Sequence, residues 1–143
     1  MTVERAFLTL METIDPTAAD RMFMLHGPQD PVLPVVVVLL VDDPAAYHLR
    51  GRNRSGRARV QLDVYAGERS GADAYGLASD FADTLDGDGA GSGLSGFRGH
   101  VGSSPAGMFL ESVQQIDRQS LFEPDELRLV RIRLDYFAYY RRT

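Results

Sequence analysis

The sequence predicts an α+β fold: a mixed or antiparallel β-sheet with two main helices packed on one face, in one domain spanning residues 1–143. Three observations carry this. Helical periodicity occurs in two short windows only, near residues 2–14 and 74–85. The run Val35–Val41 is continuously apolar and mostly β-branched, which suits a strand buried on both faces. Two further stretches, Val60–Tyr65 and Val130–Tyr139, alternate apolar and polar residues as half-buried strands do.

The elements follow in order. Thr2 is placed to cap a first helix whose Ala6, Phe7, Leu10, Met11 and Ile14 share one face. Asp15-Pro16 ends it, because a residue before proline is pushed out of the helical region. A loop with Gly27, Pro28 and Pro31 precedes the valine run, and Asp42-Asp43-Pro44 closes that run. Tyr47 and Leu49 read as extended. The decad 50–59, RGRNRSGRAR, contains the turn formers Asn53, Ser55 and Gly56 and leads into VQLDVYAG. This predicts a long arginine-rich β-hairpin with its tip near Arg54-Ser55-Gly56.

Ser70 and Asp73 resemble a capping-box start for the second helix, in which Ala74, Leu77, Ala78, Phe81 and Leu85 share a face. Gly87 suits its C-terminal cap. The glycine-rich stretch 87–107 reads as a loop, MFLESVQQI as a strand and LFEPDEL as a turn. In the closing strand Val130, Ile132, Leu134, Tyr136 and Ala138 face one way, and Arg131, Arg133, Asp135, Phe137 and Tyr139 the other.

Composition narrows the chemistry. A chain of 143 residues buries roughly two-thirds of its unfolded surface, so no metal or disulfide staple is needed. Cysteine is absent, which removes disulfides, thiolate metal sites and a cysteine nucleophile. All 15 basic residues are arginine, which removes P-loop and Schiff-base lysines. The start MTVERAFLTL has no apolar core of a signal peptide, and the ten residues Val32–Val41 fall short of the roughly 20 that a membrane helix needs. A soluble protein made in a cytoplasm, with no membrane partner, is expected.

No constellation reads as catalytic, cofactor-binding or metal-ligating, and a non-enzyme is expected. Gly91, Gly93 and Gly96 spell GxGxxG, but a helix precedes them where a dinucleotide site needs a strand. Asp86 and Asp88 hint at a calcium loop, yet Ala90 and Phe97 occupy positions that need oxygen ligands. His26, His48 and His100 lack metal spacing. Asp42 and Asp43, adjacent at a strand end, point to opposite faces. Ser95, Ser103 and Ser104 lack a nucleophile-elbow context. The terminal YFAYYRRT suits a sheet face or interface better than base stacking.

The arginines carry the strongest signal. The chain is net −5 while residues 50–59 are +5, which leaves −10 on the other 133 residues. With Val60 inward, Arg57 and Arg59 project outward, and Arg50 and Arg52 do so if Leu49 is inward. Like charges facing across a hairpin are unfavourable. Compensation comes from water and salt, from acidic residues of a neighbouring protein, or from phosphates. Arg50, Arg52, Arg54, Arg57 and Arg59 are therefore the candidate partner-interface residues.

The stretch ARVQLDVYAGERSGADAYGLASDFADTLDG resembles the central motif of the phage tail-completion, or tail-terminator, family. Arg59 to Ala66 match its strand motif, and Leu85-Asp86-Gly87 its helix end. LPVVVVLLVDDPAAYHL, GFRG, GMFLES and the closing strand are similar to its other pieces, so the resemblance covers roughly residues 31–140. The glycine insertion at 87–93 is longer than the family pattern, and the aromatic pair Tyr136-Phe137 lies where that pattern varies. The resemblance implies a structural virion protein without catalysis. It implies a homo-hexameric ring at the tail–neck junction that caps the tail tube, stops its polymerisation and docks the neck or head connector. DNA would pass through the lumen unbound, and assembly would occur in the host cytoplasm. The alternatives are a nucleic-acid-binding module using the Arg50–Arg59 hairpin, or another neck or head-completion protein.

Overall fold

A computed structural model describes residues 1–24, 34–44, 47–48, 51–52, 55–67, 74–102, 107–123 and 129–142. Helix α1 spans Val3–Ile14, and the Thr2 side chain accepts from the Arg5 amide at 3.3 Å. Asp15 ends the helix, and a 3₁₀ turn over Pro16–Arg21 leads into β1, Met22–Met24. Thr2→Ala is expected to lower stability by about 1 kcal/mol, the usual worth of such a cap. A fall in the urea midpoint with an unchanged m-value checks it.

The remaining elements are β2 (Val35–Asp42), β3 (Tyr47–His48), β4 (Gly51–Arg52), β5 (Ser55–Gly67), α2 (Ala74–Asp86), β6 (Gly99–Val101), β7 (Met108–Glu123) and β8 (Leu129–Arg142). Six strands form one mixed sheet in the order β1-β2-β5-β8-β7-β6, and β3-β4 make a separate ladder. Among the described residues only the β1–β2 pair is parallel, and the other pairs are antiparallel. The mixed sheet agrees with the expectation.

Several boundaries differ from it. His48 pairs with Gly51 across β3 and β4, and the expected tip near Arg54-Ser55-Gly56 lies in part outside the described residues. Ser55 and Gly56 belong to β5 and pair with Arg141 and Tyr140. Gly56 reads as a turn former but is a packing glycine: a Cβ there would lie 2.8 Å from the Tyr140 hydroxyl. Strand β7 continues seven residues past MFLESVQQI, so Leu121–Glu123 are strand, not turn. Its polar segment DRQS hides the strand period because bulges between Leu110 and Ser112 and between Gln115 and Asp117 shift the alternation. The valine run is buried through Val38 and then emerges, leaving Val41 exposed. The proposed capping residues Ser70 and Asp73 lie outside the described residues.

One apolar cluster joins Phe7, Leu10 and Met11 of α1, Ala78, Ala82 and Leu85 of α2, and alternate residues of the central strands. Register aligns Val38, Leu62 and Leu134 in one row and Val36, Val64 and Ile132 in the next. Each such side chain contributes about 1.5–3 kcal/mol when fully buried, so this face fixes the register. Residues of opposite parity form the other face.

Candidate functional site

Period-2 alternation in β5 buries Ala58, Val60 and Leu62 and turns Arg57, Arg59 and Gln61 to the opposite face. On β8 the same face carries Arg133, Asp135, Phe137, Tyr139 and Arg141. The Arg57 guanidinium lies 4.7 Å from the centroid of the Phe137 ring. Arg98, from the glycine-rich loop, and Arg141 lie 5.5 and 5.2 Å from the ring of Phe109. A guanidinium stacked on a ring keeps its N–H edge available for carboxylates. Arg57 and Arg98 have no ion pair among the described residues.

Two carboxylates are buried within the same face, Asp63 and Asp135. Arg133 donates to Asp63 at 3.2 Å, Gln61 Nε2 donates to it at 3.3 Å, and Arg59 donates to Asp135 at 3.4 Å. Asp135 Oδ1 is buried without a hydrogen-bond partner among the described residues. Thus Arg59 compensates an acid of its own chain, whereas Arg57 does not. Arg52 lies in β4, and Arg50 and Arg54 fall outside the described residues. Of the five sequence-predicted arginines, the structure brings Arg57 and Arg59 onto one face. Arg98 was missed because a loop residue gives no periodicity by which to assign a face, and Phe109 because the bulge between Leu110 and Ser112 breaks the alternation of its strand. Phe137 and Tyr139 were legible from parity.

On the helix side, Asp86 closes α2 and gathers three donors on Oδ1: Tyr136 Oη at 2.6 Å, Gln115 Nε2 at 3.1 Å and Ser95 Oγ at 2.5 Å. Burial and the Asp86 carboxylate push the Tyr136 hydroxyl well above the ordinary tyrosine range. This hub accounts for the aspartate that hinted at calcium. No group of three or more potential metal ligands occurs among the described residues. The Gly91, Gly93 and Gly96 loop folds over the C-terminal end of α2, where Leu94 N donates to Leu85 O and Ser95 N to Asp86 O. That end presents carbonyls, the wrong polarity for phosphate.

Other candidates separate in space. Asp43 accepts from the Tyr140 hydroxyl at 2.6 Å, while Asp42 is exposed. His100 is exposed, with Nδ1 3.3 Å from Gly102 O, and His26 lies outside the described residues. Ser103 and Ser104 do too, and the Ser95 hydroxyl is spent on Asp86. Tyr136 and Tyr140 are buried, so half of the terminal aromatics are core. An open groove of about 420 Å³ between the glycine-rich loop and β7 is lined by Ser95, Arg98, Glu111 and Gln114 among others. No described helix is long and apolar enough to cross a membrane.

Residues 9–141 match the family described as tail completion protein gp17. The chain belongs to that family. It is a structural tail protein of the bacteriophage type. Among solved structures, it is similar to a chain of the virion of a native gene transfer agent particle. The two share 15% identity over 92% of this chain and 84% of the other, with a TM-score of 0.49. Among curated proteins no match is found. In this tail completion protein the motif residues have evident local work. Arg59 bonds Asp135, Gln61 and Arg133 hold Asp63, and Asp86 ties α2 to β8.

Proposed function

We propose that this tail completion protein is a tail terminator: a ring, hexameric in its closed form, that caps the head-proximal end of the tail tube. The ring stops tube polymerisation and presents a docking surface to the neck or head connector. Family membership over residues 9–141 is the observation that supports this reading. The protein works without catalysis, within the virion at the tail–neck junction, after assembly in the host cytoplasm. Its outward arginines, Arg57 and Arg59 with Arg50, Arg52 and Arg54 near them in sequence, contact a neighbouring subunit, the tube protein or the neck. A net charge of −5 suits a conduit through which DNA must pass without sticking.

Purified protein added to polymerising tail tubes is expected to arrest their growth and to appear as a ring at one tube end by negative-stain imaging. Tubes of unaltered length with bare ends would rule the terminator out. A ring seen at the head vertex instead would make it a head-completion protein. The rival nucleic-acid module predicts duplex binding that falls steeply with salt and disappears when Arg50, Arg52, Arg54, Arg57 and Arg59 become serine. Ion pairing of Arg59 with Asp135 argues against it.

A further inference from the structure

The helices and the two central strands carry opposite charge. Helices α1 and α2 contain five acids against one arginine, whereas the central strands β5 and β8 contain six arginines against two acids. Asp80 is exposed on α2 and Glu12 half-exposed on α1, and neither has an ion pair among the described residues. On the opposite face Arg57 and Arg98 likewise have no ion pair among the described residues, and they are held over Phe137 and Phe109 with the exposed Tyr139 close by in register. The same chain therefore offers an arginine–aromatic face and an acidic helical face on opposite sides of one sheet.

We infer that the outer sheet face, centred on Arg57, Arg98, Phe137 and Tyr139, docks the acidic helical layer of a second copy of this chain. Charge complementarity selects this occupant: stacked guanidiniums present N–H edges that match carboxylates, while aromatic rings supply desolvated contact area. The two patches are different, so the contact is head-to-tail and propagates until rotation closes it. This deepens the terminator reading by naming the surfaces that would build the ring, and it rests on that reading for its biological role only.

The test uses two charge-reversed full-length variants, R57E/R98E and E12R/D80R, examined by sedimentation velocity alone and on tail tubes. Wild type is expected to self-associate in at least one setting, more weakly at high salt. Each variant is expected to associate about tenfold more weakly or worse, a loss of the size seen when interfacial charges are reversed. An equimolar mixture is expected to regain assembly, because every interface then pairs one acidic with one basic patch. Unaltered assembly of either variant, failure of the mixture, or a wild type that stays monomeric in both settings overturns the inference. So does duplex binding that R57E/R98E abolishes while self-association persists, which would make phosphate the partner. Circular dichroism melts verify folding, and the milder R57Q/R98Q replaces any variant that fails, with the same weakening expected. Tube capping by a wild type whose R57E/R98E form assembles normally would sink this inference while leaving the terminator reading intact.

Discussion

Asp86→Ala is expected to destabilise the protein by about 2–4 kcal/mol, because it strands several donors at once in a partly buried site, the fully buried Tyr136 hydroxyl among them. Its Oδ1 accepts from Tyr136, Gln115 and Ser95, drawn from β8, β7 and the glycine-rich loop. The Tyr136 side chain is fully buried and packs near the Phe7 ring, at a centroid distance of 6.0 Å, with its hydroxyl donating to Asp86. Tyr136→Phe removes one donor with its partner left in place and should cost less, about 1.5–3 kcal/mol for a bond to a charged group. Chemical denaturation of the two variants checks the order. If Asp86→Ala costs under about 1 kcal/mol, below the penalty for even one stranded donor, the hub is not a stabilising element.

The same pair sets a pH response. Tyr136 has its folded-state pKa raised, first by burial and then by Asp86. An unfolded tyrosine ionises near pH 10, so the folded chain holds a proton that the unfolded chain releases above that. The contribution is fully present below about pH 10 and is lost as pH rises beyond it. Stability of wild type should fall more steeply between about pH 10 and 12 than that of Tyr136→Phe. Equal slopes would show that the hydroxyl is not held neutral by its surroundings.

Gly93→Ala carries the second large effect, and Gly89→Ala is its control. A Cβ at Gly93 would sit 2.6 Å from Leu85 O, Asp86 C and Gly87 N, all backbone atoms. Relief requires moving the loop off the helix end, which breaks the bonds from Leu94 and Ser95 to Leu85 and Asp86. The expected cost is about 3 kcal/mol or more, at the upper end of overpacking penalties. Gly89 has φ +83° but nothing within 4 Å of its added Cβ. Its substitution should cost only the left-handed backbone penalty, about 1–2 kcal/mol. Thermal melts that place the two variants together would show that loop closure over α2 is not what the glycines serve.

This contrast marks how far the sequence reaches. Three glycines in GxGxxG spacing are ambiguous in one dimension, and the preceding helix already argued against a nucleotide. What they do instead depends on Leu94 and Ser95 returning to the carbonyls of residues 85 and 86, a contact that no local pattern encodes. Gly56 is the same case reversed: it looks like a turn, and ladder pairing with Tyr140, 84 residues away, makes it a strand residue.

The sequence by itself determined the elements whose stabilisation is local or periodic. Thr2 and Asp15-Pro16 bound α1 through capping and proline sterics, Gly87 ends α2 with φ +78°, and two-residue alternation assigned Arg57 and Arg59 to the face opposite Val60. The ordered motifs also reached the tail-completion family, because a family pattern is itself one-dimensional. The tertiary structure decided the strand order, the pairing of β3 with β4, the length of β7 through its bulges, and the Asp86 hub. It also decided which arginines are already satisfied: Arg59 by Asp135, 76 positions away, and Arg57 by no acid among the described residues. Charge pairing acts through space over a few ångströms, and distance along the chain does not predict it.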